Sequence, residues 1–148
     1  MKVAQIFIAS DHAGFNTKEF VKSYLSNFEF DVVDLGAYSK DMSVDYPDFA
    51  DKMAENINND FKFGILICGT GIGISIAANR HPHIRCALCH DATTAKLARE
   101  HNDANVLCFG GRIVGTSIIQ DMVKVFFTTE FAGGRHEKRV YKLGNYKC

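Results

Sequence analysis

Apolar, β-branched runs alternate with amphipathic stretches along most of the chain, and this alternation leaves few folds open. VAQIFIA (3–9) precedes NTKEFVKSYLSNF (16–28), DVVDL (31–35) precedes PDFADKMAENI (47–57), and FGILI (63–67) precedes GISIAANR (73–80). IRCALC (84–89) then leads into DATTAKLAREHN (91–102), and NVLCFG (105–110) into GTSIIQDMVKVFFTT (115–129). Five strands, each followed by a helix, predict an α/β fold: a five-stranded, mostly parallel sheet covered by helices on both faces. Helix starts carry the expected marks. Pro47 suits a first helical position, Asp91 can cap the fourth helix, and Gly115-Thr116 opens the fifth. The basic tail GGRHEKRVYKLGNYKC (133–148) is expected to begin with one more short helix.

The 148 residues suit a single domain spanning 1–148, and their formal net charge is zero. No apolar run approaches the ~18 residues needed to cross a bilayer, so no membrane partner is expected. The opening MKVAQIFIASDHAG has only a brief apolar segment cut off by Asp11 and His12, and reads as a first strand instead of a signal peptide. A cytoplasmic chain is therefore expected. Neutral net charge without a basic cluster argues against nucleic acid as a partner. Five cysteines in a chain that is not exported predict reduced thiols and no disulfide framework. Cys86-Ala-Leu-Cys89-His90 has the spacing of a haem attachment site or half a zinc site. In a strand, however, residues three apart point to opposite faces and cannot share one metal. No metal site is expected.

Ligands of such sheets bind beyond the carboxyl ends of the strands. Asp11 and His12 follow the first strand, Tyr46 lies in the long loop after the second, and Cys68 and Thr70 follow the third. His90 follows the fourth, and Arg112 follows the fifth. The turn Gly69-x-Gly71-x-Gly73 is no dinucleotide fingerprint, because Ile74 stands where the third glycine would be; without a Lys-Ser/Thr pair it is no P-loop either. What remains is a set of backbone amides at a helix start, suited to a developing negative charge, or a device for packing helix close to strand. Cys68 beside it is either core filler or a nucleophile or base favoured by those amides. Cys108 reads as a small core residue.

A second group lies elsewhere in the chain. Arg135 and Arg139 are four apart and would share a helical face; with Arg112 they could clamp a phosphate, or they form a solvated tail. His101 and Asn102 end a helix, where both also serve as C-terminal caps. His81, His83 and His136 have no motif around them and are assigned surface roles. Crossover helices run antiparallel to their strands, so His101 and Asn102 fall at the sheet edge opposite Cys68, and the tail emerges there too. For all these residues to serve one site, a second subunit must supply part of it, and a two-fold dimer would make two composite sites.

Taken together, SDHAG (10–14), DYPDFA (45–50), ILICGTGIGISIAANR (65–80), REHNDANVLCFGGR (99–112) and GGRHEKRV (133–140) resemble type B ribose-5-phosphate isomerase. That family also holds galactose-6-phosphate and allose-6-phosphate isomerases. The resemblance implies a three-layer αβα Rossmann-like fold and no metal or organic cofactor. It implies interconversion of D-ribose 5-phosphate and D-ribulose 5-phosphate, a pentose phosphate pathway reaction, by homodimers that in some members pair into tetramers. Site roles follow from it. Cys68 would be the base, assisted by Thr70, and the amides around Gly69, Gly71 and Gly73 would stabilise the enediolate. His101 from the neighbouring subunit would open the sugar ring. Asp11 and Asn102 would hold hydroxyls, His12, Arg112, Arg135 and Arg139 the phosphate, and Tyr46 would line the pocket. One branch of the family carries a glutamate base where this chain has Ile74, which leaves Cys68 as the available proton shuttle. The alternatives are a six-carbon substrate, allose or galactose 6-phosphate, and a non-catalytic sugar-phosphate-binding protein.

Overall fold

The computed structural model describes residues 2–145, so Cys148 lies outside the described residues. Its strands are β1 (Gln5–Ser10), β2 (Val32–Asp34), β3 (Lys62–Cys68), β4 (Cys86–Leu88) and β5 (Val106–Gly110). Its helices are α1 (Phe15–Leu25), α2 (Tyr46–Asn56), α3 (Ile72–Ala78), α4 (Ala92–Asn102), α5 (Thr116–Thr128) and α6 (Glu137–Gly144), the last preceded by a short 3₁₀ turn, Gly134–His136. The strands form one sheet in the order β2-β1-β3-β5-β4, every neighbouring pair parallel. The α/β alternation is borne out element by element, including the short tail helix.

Side-chain alternation along the strands divides the core in two. Ile6, Ile8, Ile65, Ile67, Leu107 and Phe109 face α1, α4 and α5, whose Val21, Ala95, Met122 and Phe126 pack on them. Phe7, Ala9, Leu66, Cys68, Val106 and Cys108 face α2 and α3, meeting Met53, Ile74 and Ala78. A side chain such as Phe126, fully buried, contributes about 1.5–3 kcal/mol. Cys89 belongs to the first cluster and Cys86 to the second, so the two thiols lie on opposite sides of the sheet.

This layering decides where a ligand can enter. The helix after β3 lies on one face, while those after β1 and β5, the strands flanking it, lie on the other. The connections diverge, and a crevice opens at the carboxyl end of β3. One expectation is corrected here: Tyr46 is not in the loop after β2 but is the first residue of α2, with Pro47 in its opening turn. Proline tolerates either of the first helical positions, where no intrahelical amide bond is lost.

The loop leaving β2 is anchored by a buried charge. Lys18 on α1 is fully buried; its Nζ donates to Asp34 Oδ2 at 2.6 Å, and Lys22 Nζ donates to the same oxygen at 2.8 Å. The Gly36 amide donates to Asp34 Oδ1 at 2.8 Å. Burial alone would raise the Asp34 carboxyl's pKa, but hydrogen bonds from Lys18, Lys22 and Gly36 outweigh it and hold it below the ordinary value. A depressed carboxyl stabilises the fold where it is ionised, and that contribution is lost as pH falls through its folded value. Asp34→Asn should therefore lower stability at pH 7 by up to about 3 kcal/mol, because buried Lys18 then keeps only the longer, 3.2 Å contact to the more exposed Glu19. Below about pH 4, where the unfolded chain's carboxyl takes up its proton while the folded one still resists it, the gap should narrow. Urea unfolding at several pH values checks this; equal stability at pH 7 would contradict it.

Candidate active site

Cys68 is the last residue of β3, paired with Gly110 of β5, and is 4 % exposed. The chain then reverses through Gly69-Thr70-Gly71 into α3. Gly71 caps that helix at φ +79°, in the left-handed region open to glycine. This conformation turns the Gly71 amide back onto Cys68, and its N–H donates to Sγ at 3.1 Å. The Gly71 carbonyl accepts from the Cys108 thiol at 3.2 Å. A Cβ on Gly71 would stand 2.7 Å from Leu88 Cδ1 and from the Phe109 carbonyl carbon; one on Gly110 would stand 2.6 Å from the Thr70 backbone. Two backbones in contact thus fix where the sulfur sits. Burial pushes the Cys108 thiol well up, and that of Cys89 up to about 11, so both remain protonated at neutral pH.

The other residues of this edge converge on the turn. The Gly111 and Arg112 amides donate to the Cys68 and Gly69 carbonyls at 2.9 and 3.0 Å. The Arg112 side chain lies over Gly69, where a Cβ would come within 3.3 Å of Nη1. Arg112 has no carboxylate partner among the described residues, which leaves its donors for an anion. Tyr46 packs its ring against Gly73, where a Cβ would be 2.5 Å from Cζ. From β1, Asp11 is buried, with Oδ1 taken by the Gly14 amide at 3.0 Å and Oδ2 unused among the described residues. His12 Nδ1 accepts from the Val44 amide at 3.1 Å, so a neutral His12 carries its proton on Nε2. The Thr70 hydroxyl accepts from the Ile72 amide at 3.2 Å and so supports the start of α3. Ile74 is fully buried.

His101, Asn102, Arg135 and Arg139 are not part of this cluster. They gather at the opposite edge of the sheet. His101 and Asn102 end α4, and the next residues dock at the strand starts: Arg85, just before β4, donates from Nε to the Asp103 carbonyl at 2.7 Å, and the Asn105 carbonyl accepts from Gly64 near the start of β3 at 2.9 Å. The tail returns here, with the Ala132 amide donating to the Glu100 carbonyl at 3.0 Å. Arg135 and Arg139 are exposed and, among the described residues, have no carboxylate partner.

A ribose/galactose isomerase family model matches residues 6–143. The chain belongs to the ribose/galactose isomerase family. Ribose-5-phosphate isomerase B of Escherichia coli strain K12 is 40 % identical over 137 residues, covering 92 % of this chain and 91 % of that protein. Among solved structures, ribose 5-phosphate isomerase B from Anaplasma phagocytophilum is 51 % identical with a TM-score of 0.92, covering 97 % of this chain and 98 % of its own. That of Clostridium thermocellum is 47 % identical with a TM-score of 0.90, covering 95 % of each chain.

Within this isomerase-family fold, one residue departs from its expected role. His136, expected to serve only the surface, is half-buried and stacks on His101 with ring centroids 4.4 Å apart and planes within 15°. Burial, then the nearby cationic groups His101, Arg135 and Arg139, lower its pKa from the ordinary histidine value. The two histidines are 35 positions apart in the sequence, and no local pattern announces the stack. His81 and His83 do have packing roles, bonding Asp51 Oδ1 and the Ala54 carbonyl, each at 2.8 Å. Gly71→Ala combines a left-handed φ with a backbone clash and should cost about 1–3 kcal/mol. Gly69→Ala meets only the flexible Arg112 side chain and should cost far less. Thermal unfolding of the two variants checks this; equal losses would contradict it.

Proposed function

We propose that the chain is an aldose–ketose isomerase that interconverts D-ribose 5-phosphate and D-ribulose 5-phosphate, with Cys68 as the proton shuttle. The observation that carries this reading is a sulfur held against a backbone amide in the crevice between β1 and β5, in a chain whose relatives include proteins named ribose-5-phosphate isomerase B.

The Cys68 thiolate takes the proton from C2 of the open-chain aldose, and the C2–H electron pair becomes the C1–C2 double bond of an enediolate. Returning a proton to C1 completes the ketose, with the oxygen-bound proton passing between O2 and O1. Amides at the start of α3 stabilise the negative charge that builds on those oxygens. Asp11 Oδ2 accepts from a sugar hydroxyl. Arg112 grips the phosphate, and His12 donates to it from Nε2. Thr70 supports the turn that carries Cys68, and Tyr46 walls the pocket beside Gly73.

The remaining functions need a partner copy. In the proposed homodimer, the partner brings His101 to open the furanose ring, Asn102 to hold a hydroxyl, and Arg135 and Arg139 to complete the phosphate grip. The opposite placement of the two clusters supports this reading, as does α6, which buries none of its residues on its own chain and leaves Tyr141 and Leu143 exposed. As proposed, the protein is a cytoplasmic enzyme of the pentose phosphate pathway. Among the described residues, no helix is long and apolar enough to cross a membrane.

Side chains and backbone amides carry this chemistry, so turnover of ribose 5-phosphate should persist in EDTA. Cys68→Ala should fold and still bind the sugar phosphate while turnover falls by a factor of about 10²–10⁴. Wild-type turnover in that variant would overturn the mechanism, and faster turnover of allose or galactose 6-phosphate by the native protein would reassign the substrate. Arg112→Ala should raise KM steeply, by the equivalent of about 1.5–3 kcal/mol of charge-assisted hydrogen bonding. An unchanged KM would remove Arg112 from the phosphate site.

A further inference from the structure

Six ring pairs besides His101–His136 occur among the described residues, and all are tilted or edge-on. His101 and His136 alone stack nearly coplanar, at 4.4 Å and 15°. His101 differs from three of the other five histidines in a second way. The rings of His12, His81 and His83 are each pinned by a hydrogen bond; the His101 ring has none among the described residues. Its orientation is set by the face of His136.

The local backbone is built to bring that face into place. The Ala132 amide bonds the Glu100 carbonyl, one residue before His101. Gly133 and Gly134 then take successive positive φ values, +65° and +57°, a reversal that favours glycine at both positions. The His136 amide closes the turn on the Gly133 carbonyl at 3.1 Å. The reversal returns the chain over the end of α4 and lays one imidazole on the other. The surroundings of His136 favour its neutral form, so the stack does not set two cations face to face.

We infer that His136 is a positioning residue for ring opening: its imidazole, stacked on His101, fixes the plane in which His101 meets the closed sugar. The inference rests on the role proposed above for His101. A ring free to rotate on the last turn of α4 would present its nitrogen to the furanose oxygen only part of the time, and general acid–base catalysis is sensitive to that geometry. His136 itself touches no reacting atom.

The test separates ring opening from proton transfer. Ribose 5-phosphate is a closed furanose. Ribulose 5-phosphate carries its phosphate on O5, cannot close that ring, and reports enediolate formation alone through wash-in of solvent deuterium at C1. His136→Ala should lower kcat for ribose 5-phosphate about tenfold or more, with KM within about twofold and deuterium wash-in within about twofold. His136→Phe, which restores a flat ring but no titrating nitrogen, should recover most of the lost kcat. The inference is overturned if His136→Ala raises KM at unchanged kcat, which would make His136 a phosphate ligand. It is also overturned if both reactions fall together, if neither falls, or if the phenylalanine variant recovers nothing. His101→Ala tells the two readings apart. Should it turn over ribose 5-phosphate normally, the role of His101 fails and this inference with it; should it lose turnover while His136→Ala does not, only this inference fails.

Discussion

The amide of Gly71 points at the sulfur of Cys68, and the arrangement of the candidate catalytic edge follows from that contact. The hydrogen bond, 3.1 Å long, exists because Gly71 adopts a φ of +79°, and that conformation fits only because neither Gly71 nor Gly110 has a Cβ where β3 and β5 meet the turn. Cys108, protonated and buried, holds the opposite side of Gly71 through its carbonyl. The sulfur therefore sits in a rigid frame of strand and turn. The same turn presents its carbonyls to Gly111 and Arg112, which couples the proposed proton shuttle to the proposed phosphate grip through two backbone hydrogen bonds.

A parallel sheet with crossover helices imposes a complementary constraint. Each helix carries its end back to the strand starts, so α4, eleven residues long and thus about 16 Å, necessarily leaves His101 at the far edge. The tail is tied to that edge at Glu100. The two proposed half-sites of a single chain therefore lie at opposite edges of the sheet, and self-association is the simplest way to join them. The exposed apolar side chains of α6 at the same edge are consistent with a surface that a partner covers.

Much of this was legible in the sequence, for identifiable reasons. Strand and helix periods differ, so the five strand–helix units could be read from VAQIFIA to the last amphipathic stretch, and Asp91 does cap α4, accepting from the Thr94 amide at 2.7 Å. The opposed faces of Cys86 and Cys89 followed from pleat geometry alone. Strand order did not follow. Nothing local states that β5 inserts between β3 and β4, because that depends on which buried faces fit together. The start of α2 was misplaced because Pro47 is compatible with more than one position in a first turn. The Thr70 hydroxyl accepts from the Ile72 amide, a local bond that composition does not reveal and that leaves its O–H able to donate. The His101–His136 stack is a contact between distant segments, and no local pattern announces it.

The account's central claim is that each catalytic centre is assembled from two chains, a sulfur from one and an imidazole from the other. Mixed dimers of Cys68→Ala and His101→Ala test it most directly. Each parent should be nearly inactive alone, with both of its centres damaged. In a mixed dimer one centre carries both lesions and the other carries none, so random reassociation should restore roughly a quarter of native activity. Activity that stays at the level of the parents, with mixed dimers present, would contradict the claim.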